Sequence, residues 1–151
     1  MPEEFHFPRI RVAAVVVEEG NLLLVRHLKE GRTYWMLPGG GVDYGETLAG
    51  ALKRELREEL RVEAQIGPLL LSNDSIPPDR HRHIVNFYFR ATITRGRPKL
   101  GTDKRIAEVA FHPLASLGEL IMRPDFAGDL QHAIEAPHDG GPTYLGNLWR
   151  D

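Results

Sequence analysis

Cysteine is absent from the 151 residues of this chain. Its absence excludes disulfide bonds, thiolate catalysis and zinc sites built from cysteine. Long apolar runs are also missing, since VAAVVV and LLLV are far shorter than the roughly 20 residues that span a bilayer. The amino-terminal stretch MPEEFHFPR is acidic and lacks the basic-then-apolar order of a secretory signal. We therefore expect a soluble, cytoplasmic protein with no membrane partner.

An excess of basic charge is lacking as well. The formal net charge is −2, whereas bulk binding of nucleic acid requires a strongly basic face. The hydrophobic fraction of 42% and the charged fraction of 26% are ordinary for a globular domain. The length predicts one domain, over residues 1–151. Composition does not decide the oligomeric state and leaves a homodimer open.

Periodicity predicts a mixed sheet with helices on its faces. Residues 12–17 are apolar throughout, which is typical of a central strand covered on both sides. The run TYWM leads into a glycine-rich loop, and the tail APHDGGPTYLGNLWRD is loop-like, with apolar side chains that pack back onto the domain. Further strands are expected at 62–72, 83–94 and 106–112, and helices at 47–60, 113–120 and 125–134.

The predicted helix at 47–60 places acids where a helix disfavours them. Four leucines spaced by four residues form one apolar stripe: Leu48, Leu52, Leu56 and Leu60. At about 100° per residue, Glu59 falls inside the edge of that stripe, Glu55 borders it and Glu58 lies farther round. Like-charge pairs at these spacings cost roughly 0.2–0.5 kcal/mol each, and acids oppose the dipole at a helix end.

Two interpretations account for these acids. Arg54, Arg57 and Arg61 could balance them on an ordinary surface helix. Alternatively, carboxylates clustered on one helix edge suit Mg²⁺, which prefers oxygen ligands and retains waters for a substrate phosphate. The glycine-rich loop favours the second interpretation, because its backbone can approach a ligand closely. It is not a phosphate-binding loop of the GxxxxGK[ST] type.

Residues 40–62, GGVDYGETLAGALKRELREELRV, resemble the motif of the Nudix hydrolases, the MutT-like enzymes that act on nucleoside diphosphates linked to another group. The matching positions are Gly40, Glu46, Arg54, Glu55, Leu56, Glu58, Glu59 and Val62. The motif covers about a sixth of the chain, and so many fixed positions make the match specific. One position departs, because Arg61 stands where the motif has a glycine that ends the helix. An arginine in a left-handed cap costs roughly 1 kcal/mol, so the departure puts the helix exit in question but removes no ligand.

The resemblance implies a Nudix-type α/β/α sandwich with a central mixed β-sheet and hydrolysis of a pyrophosphate bond. It also implies a divalent cation, usually Mg²⁺ with Mn²⁺ as a substitute. Glu55 and Glu59 correspond to the metal ligands, followed by Glu58 and the Gly39 carbonyl. Arg54 would orient the carboxylates, and Glu46 would be its structural partner. The general base stays open, with Glu58 as a candidate.

The substrate is less well specified. Pro77 follows Val62 by 15 residues, a spacing associated with ADP-ribose pyrophosphatases, although SIPPDRHRH also reads as a simple turn. A (deoxy)nucleoside triphosphate pyrophosphohydrolase is the alternative, and a non-catalytic nucleotide sensor of the same fold is a third hypothesis. The intact acidic run argues against the sensor.

Candidate substrate contacts lie outside the motif. Arg26 could meet a phosphate, Tyr34 could stack on a base, and His83 could face a phosphate or a metal. Each of these side chains has an ordinary structural alternative, at the rim, in the core or in a loop.

Overall fold

The computed structural model describes residues 6–136 and 140–149, which form two β-sheets and the helices packed on them. The elements in chain order are β1 Arg9–Val15, β2 Val17–Glu18, β3 Asn21–Lys29, β4 Arg32–Met36, β5 Gly39–Gly41, α1 Leu48–Leu60, β6 Glu63–Ser75, β7 Ile84–Arg95, β8 Ile106–Pro113, a 3₁₀ helix Leu114–Glu119, α2 Ala127–Glu135 and β9 Thr143–Asn147. No helix within these described ranges is long and apolar enough to cross a membrane.

The first sheet is mixed. Its strand order is β5-β1-β7-β6-β9, in which β1 is parallel to β7 and β6 is parallel to β9, while the other two pairings are antiparallel. The second sheet is antiparallel and contains β2, β3, β4 and β8, with β3 paired to the other three. The mixed central sheet predicted from the sequence is confirmed.

Strand β1 is buried on both faces. Val12 and Ala14 pack in the hydrophobic cluster that contains the leucines of α1. Ala13 and Val15 point the other way, into the cluster that contains Leu130 of α2. The prediction of a central strand covered on both sides is therefore confirmed, and the layers are helix, sheet and helix.

Two segments expected to be loops are strands. The glycines of β5 pair with β1, and a Cβ added to Gly39 would lie 1.9 Å from the Val12 carbonyl oxygen, so this pairing requires glycine. The tail forms β9, which pairs with β6. This pairing brings Leu148 into the core, where 8% of its surface is exposed. The prediction that the tail packs back is confirmed for Leu145 and Leu148, whereas Tyr144 is exposed. The predicted loop conformation is wrong for residues 143–147, and residues 137–139 and 150–151 of the tail lie outside the described residues.

Candidate active site

Helix α1 begins and ends at defined caps. The Thr47 hydroxyl accepts a hydrogen bond of 3.0 Å from the Gly50 N–H, which satisfies a free donor of the first turn. At the other end Arg61 adopts φ 57° and ψ 38°, the left-handed conformation that glycine usually supplies. The helix exit typical of the motif is thus present, and the arginine adopts it at a cost of roughly 1 kcal/mol.

The loop between β7 and β8 holds the acidic end of α1. The Lys99 N–H donates to the Leu60 carbonyl and the Gly101 N–H donates to the Glu59 carbonyl, both at 3.0 Å. A Cβ added to Gly101 would lie 2.5 Å from the Glu58 carbonyl oxygen, so no other residue fits without movement. These contacts satisfy carbonyls that a helix end otherwise leaves unpaired. They also fix the position of the helix end that carries the carboxylates.

Arg54 is the centre of an ion-pair group that we call the Arg54 cluster. Its guanidinium donates two bonds of 2.8 Å to Glu46, one of 3.0 Å to Glu55 and one of 3.3 Å to Glu58. A further bond of 3.0 Å reaches the Gly41 carbonyl, which ties the helix to β5. The two-pronged bond from Arg54 holds the pKa of Glu46 down at about 2, with the Asp43 N–H adding to the effect.

Glu59 occupies a different environment. Its Oε1 is buried and has no hydrogen-bond partner among the described residues. Burial raises the pKa of this carboxyl to about 7, although the Arg11 guanidinium opposes that rise; the Glu55 charge adds to it. We call Glu59 with the adjoining Gly39 backbone the Glu59 pocket. An unpaired buried oxygen of this kind is costly unless a ligand satisfies it.

Glu55 lies one helical turn before Glu59 and presses against β5. A Cβ added to Gly40 would lie 2.3 Å from Glu55 Cδ, so the carboxylate occupies the space that a side chain would need. Among the described residues, no three His, Asp or Glu side chains form a ready-made metal site. Two carboxylates are nevertheless what Mg²⁺ commonly takes from a protein, with water and substrate phosphate completing its shell. The donor set therefore fits Mg²⁺.

These carboxylates lie in a cleft of about 1190 Å³. The side chains of Arg11, His27, Asp103 and Arg105 also line it. Arg11 projects from β1 and donates a 3.2 Å bond to the Leu37 carbonyl. Sequence reasoning missed Arg11, although the alternation of two arginines, Arg9 and Arg11, at the start of an otherwise apolar strand was a usable signal. Asp103 and Arg105 gave no such signal, because only the fold of the β7–β8 loop brings them to the cleft.

Tyr34 is the predicted substrate contact that does line the cleft. Its ring stacks on His27 with centroids 5.7 Å apart, and the Arg123 guanidinium lies 4.9 Å from its centroid. Arg123 is held there by main-chain bonding, since its N–H donates to the Trp35 carbonyl at 2.9 Å. One end of the cleft is therefore aromatic and cationic.

Three other predicted contacts are not among the residues that line the cleft. Arg26 pairs with Glu108 at 3.0 Å across β3 and β8. His83 meets Asp74 at 2.7 Å, and the Asp74 carboxylate also accepts from the Tyr144 hydroxyl. Pro77 is buried in a turn, where its carbonyl accepts from the Arg80 N–H. Each is engaged by its own structural neighbours.

The NUDIX domain family matches residues 7–135, which is most of the chain. A curated relative, an ADP-ribose pyrophosphatase of Methanocaldococcus jannaschii, is 29% identical over 114 residues. That match covers 75% of this chain and 66% of the relative. Phosphatase NudJ of Escherichia coli K12 is 37% identical over 73 residues, which are 48% of each chain. The chain thus spans between about half and two thirds of the length of these relatives.

Solved structures show the same architecture. A MutT NUDIX hydrolase from Burkholderia pseudomallei superposes with a TM-score of 0.73 and 28% identity, covering 83% of this chain and 98% of that one. A structure described as UDP-X diphosphatase has a TM-score of 0.70 at 22% identity, over 93% and 69% of the two chains, and shows the fold alone. The chain belongs to the Nudix hydrolase family, whose members typically use a divalent metal and act on nucleotide-type substrates.

Proposed function

From its membership of the Nudix hydrolase family, we propose that this chain is a Mg²⁺-dependent pyrophosphohydrolase. Its substrate is a nucleoside diphosphate linked to a second group, and ADP-ribose is the first candidate. The observation that carries the proposal is the buried, unpaired Oε1 of Glu59 beside Glu55 on the motif helix. The relative from M. jannaschii, an ADP-ribose pyrophosphatase, and the position of Pro77 support this candidate.

The chain's own groups have distinct tasks in this reaction. Glu55 and Glu59 would hold the cation, and the Gly39 carbonyl would be a further ligand. When bound, Mg²⁺ polarises the phosphoryl oxygens and lowers the pKa of a coordinated water. Arg54 fixes the Glu55 carboxylate through its 3.0 Å bond. Glu46 in turn fixes Arg54 through two bonds of 2.8 Å.

Glu58 is the candidate general base. Its carboxylate is 61% exposed and lies 3.3 Å from Arg54, so solvent can carry away a proton that it accepts. Water attacks one phosphorus, the bridging P–O bond breaks, and the bridging oxygen leaves on the other phosphate. Arg11 supplies positive charge in the cleft, where the phosphate oxygens would lie. Arg105 also lines the cleft, but its guanidinium is paired with Asp103 at 2.8 and 3.0 Å.

A (deoxy)nucleoside triphosphate is the second candidate substrate, because it contains the same kind of phosphoanhydride bond. We would measure phosphate release, after phosphatase treatment where needed, from ADP-ribose, other nucleotide sugars, (d)NTPs and dinucleoside polyphosphates. Each reaction is run with Mg²⁺, with Mn²⁺ and with EDTA. We expect metal-dependent turnover, fastest for ADP-ribose.

A binding domain without catalysis is the competing class of function. It predicts tight binding of one nucleotide and no turnover of any member of the panel with either metal. That result would refute the enzymatic proposal. Turnover of triphosphates alone would keep the reaction class and replace the substrate.

A further inference from the structure

The cleft continues well beyond the carboxylates. Its far end is lined by Ser75, Arg82, Asn86 and Trp149, none of which belongs to the Nudix motif. We propose that this end is a nucleoside subsite, in which a heterocyclic base lies against Trp149 and Arg82 and is recognised by the Asn86 amide. The inference rests on the proposed function, which sets the orientation of the substrate in the cleft. It adds the place where the base of that substrate binds.

The last strand brings the aromatic side chain to this place. Asn147 accepts from the Ile76 N–H at 3.0 Å and donates to the Ile76 carbonyl at 3.1 Å. The Leu148 N–H donates to the Asp74 carbonyl at 2.9 Å, and Leu148 itself is buried. The backbone on the amino-terminal side of Trp149 is thus fixed to β6, so the indole is presented from a rigid support.

Arg82 lies over the indole of Trp149. Its guanidinium carbon is 5.2 Å from the centroid of that ring. A guanidinium stacked on an indole leaves planar outer faces against which a base can stack, because both groups are planar and the cation is weakly hydrated. This chemistry favours an aromatic base.

At the same end of the cleft, the side-chain amide of Asn86 has unused hydrogen-bonding capacity. Asn86 has only 5% of its surface exposed yet lines the cleft. Its Nδ2 donates to Ser75 Oγ over 3.5 Å, the limit of a hydrogen bond. The neighbouring Asn73 is instead fully engaged, since it accepts from the Tyr88 hydroxyl at 2.7 Å and donates to the Asp74 carbonyl at 2.8 Å. Asn86 can therefore pair with the edge of the base.

The strand order places these groups in the sequence that a nucleotide requires. In register across the sheet, Gly41 of β5 pairs with Arg11 of β1, and Arg11 pairs with Asn86 of β7. Strands are about 4.8 Å apart, so Asn86 lies about 10 Å from the strand that carries the metal-side glycines. The order across the sheet begins with the carboxylates that would hold the metal, followed by Arg11 for the phosphates. The Asn86 amide comes next, and Trp149 lies beyond β6. A pyrophosphate, a ribose and a base follow that same order.

The opposite end of the cleft suits the second group of the substrate. The Tyr34 ring there is already stacked on His27, and the Arg123 guanidinium 4.9 Å from its centroid suits a polar or phosphorylated group. Both ends thus carry an aromatic ring with a guanidinium, but only the Trp149 end adds the Asn86 amide. A substrate with groups on both sides of its pyrophosphate would contact both ends of the cleft.

The test compares AMP with ribose 5-phosphate in the absence of metal, so that binding is measured apart from hydrolysis. By calorimetry, Trp149→Ala should weaken AMP binding roughly tenfold or more, as loss of a stacking partner does. It should leave ribose 5-phosphate binding within about twofold, while Trp149→Phe retains most of the AMP affinity. With Mg²⁺ and ADP-ribose, Trp149→Ala and Asn86→Ala should raise KM and leave kcat nearly unchanged.

Fluorescence gives a second measurement. The chain has two tryptophans, so Trp35→Phe leaves Trp149 as the single reporter. AMP should change its emission, and UMP, GMP and CMP serve as the alternative probes. Equal loss of AMP and ribose 5-phosphate in Trp149→Ala would overturn the proposal, as would an unchanged KM. Loss of AMP binding in Tyr34→Leu but not in Trp149→Ala would place the base at the other end.

The two proposals fail in different ways. Trp149-dependent AMP binding without any turnover would refute the hydrolase and keep the subsite. Normal turnover with AMP binding and KM indifferent to Trp149 would refute the subsite and keep the hydrolase.

Discussion

Glu46 and Glu59 belong to the same 23-residue motif, yet their environments are opposite. Glu46 in the Arg54 cluster receives two guanidinium bonds, and its pKa is held at about 2. Glu59 in its pocket has a buried oxygen without a partner among the described residues, and its pKa is raised to about 7. The protein itself supplies the hydrogen bonds of the Glu46 carboxylate, whereas it leaves an oxygen of Glu59 for a ligand.

The largest expected effect comes from removing the charge of the Glu59 pocket. We expect Glu59→Gln to lower kcat/KM for ADP-ribose by more than the roughly 10–100-fold typical of outer residues at metal sites. It should not destabilise the fold, because a neutral amide is easier to bury than a carboxylate. Activity and thermal denaturation are measured together.

Glu63→Gln is the matched control, since Glu63 forms its ion pair with Arg57 on the surface outside the cleft. It should leave activity within about twofold, as exposed pairs contribute little. Full activity of Glu59→Gln would mean that Glu59 is not a ligand of a catalytic metal.

Breaking the Arg54 cluster should have the next largest effect. Arg54→Lys keeps the charge but cannot bridge Glu46 and Glu55 with one planar group. We expect activity to fall roughly 10–100-fold and the Mg²⁺ concentration for half-maximal activity to rise, since Glu55 loses its orientation.

Arg57→Lys provides the comparison here, because Arg57 makes a similar two-bond fork to Glu63 at 2.7 and 3.0 Å. If both lysine variants lost activity equally, the role assigned to Arg54 would be wrong.

The backbone beneath the Glu59 pocket should show a smaller effect. Gly101→Ala adds a methyl 2.5 Å from the Glu58 carbonyl, so the end of α1 must shift. We expect an activity loss of about tenfold with weaker Mn²⁺ binding, measured by titration, and a stability loss of about 1–3 kcal/mol.

In Gly128→Ala the new methyl meets open space on α2. That variant should be as stable as the wild type or more so, with unchanged metal binding. A Gly101→Ala protein that binds Mn²⁺ normally would show that the loop does not position the carboxylates.

The smallest effect is a pH dependence of opposite sign in the two regions, measured on protein kept metal-free with EDTA. Folded Glu59 holds its proton up to about pH 7 while the unfolded chain releases it near 4.5, so its contribution to stability falls as pH rises between these values. Glu46 behaves conversely, because its pKa is lowered: its contribution is present above pH 4.5 and is lost as pH falls towards 2.

Denaturant midpoints of wild type, Glu59→Gln and Glu46→Gln across pH 3–8 would measure both contributions. Glu59→Gln should flatten the slope between pH 5 and 7, and Glu46→Gln the slope below 4.5. A Glu59→Gln curve parallel to wild type above pH 5 would contradict the buried state of that carboxyl.

Local pattern was sufficient for much of the fold. Helix α1 was predicted at 47–60 and spans Leu48–Leu60, because a leucine every fourth residue permits only one buried face. The strand β1 was recognised since residues apolar on both sides need two covering layers. The tail was misjudged because β9 depends on pairing with β6, a contact between segments far apart in the chain.

The residues of the site were likewise predictable where they are close in the sequence and unpredictable where the sheet brings them together. The motif carboxylates are adjacent on one helix, so their spacing alone places them together. Arg11, Asn86 and Trp149 come from three separate strands or their ends, and only the sheet order aligns them. Arg26 was expected at a phosphate, but its position on β3 directs it to Glu108 of β8. Arg61 put the helix exit in question, and the structure shows that it adopts the left-handed conformation of the usual glycine.

The three glycines of β5 differ in the space available for a side chain. Gly39 is confined by the Val12 carbonyl at 1.9 Å and Gly40 by the Glu55 carboxylate at 2.3 Å, whereas a Cβ on Gly41 meets nothing within 4 Å. Three identical residues in one short run thus tolerate a side chain to different degrees. A substitution at the third position is sterically free, whereas the first two require glycine, since one preserves the sheet and the other preserves the space that the Glu55 carboxylate occupies.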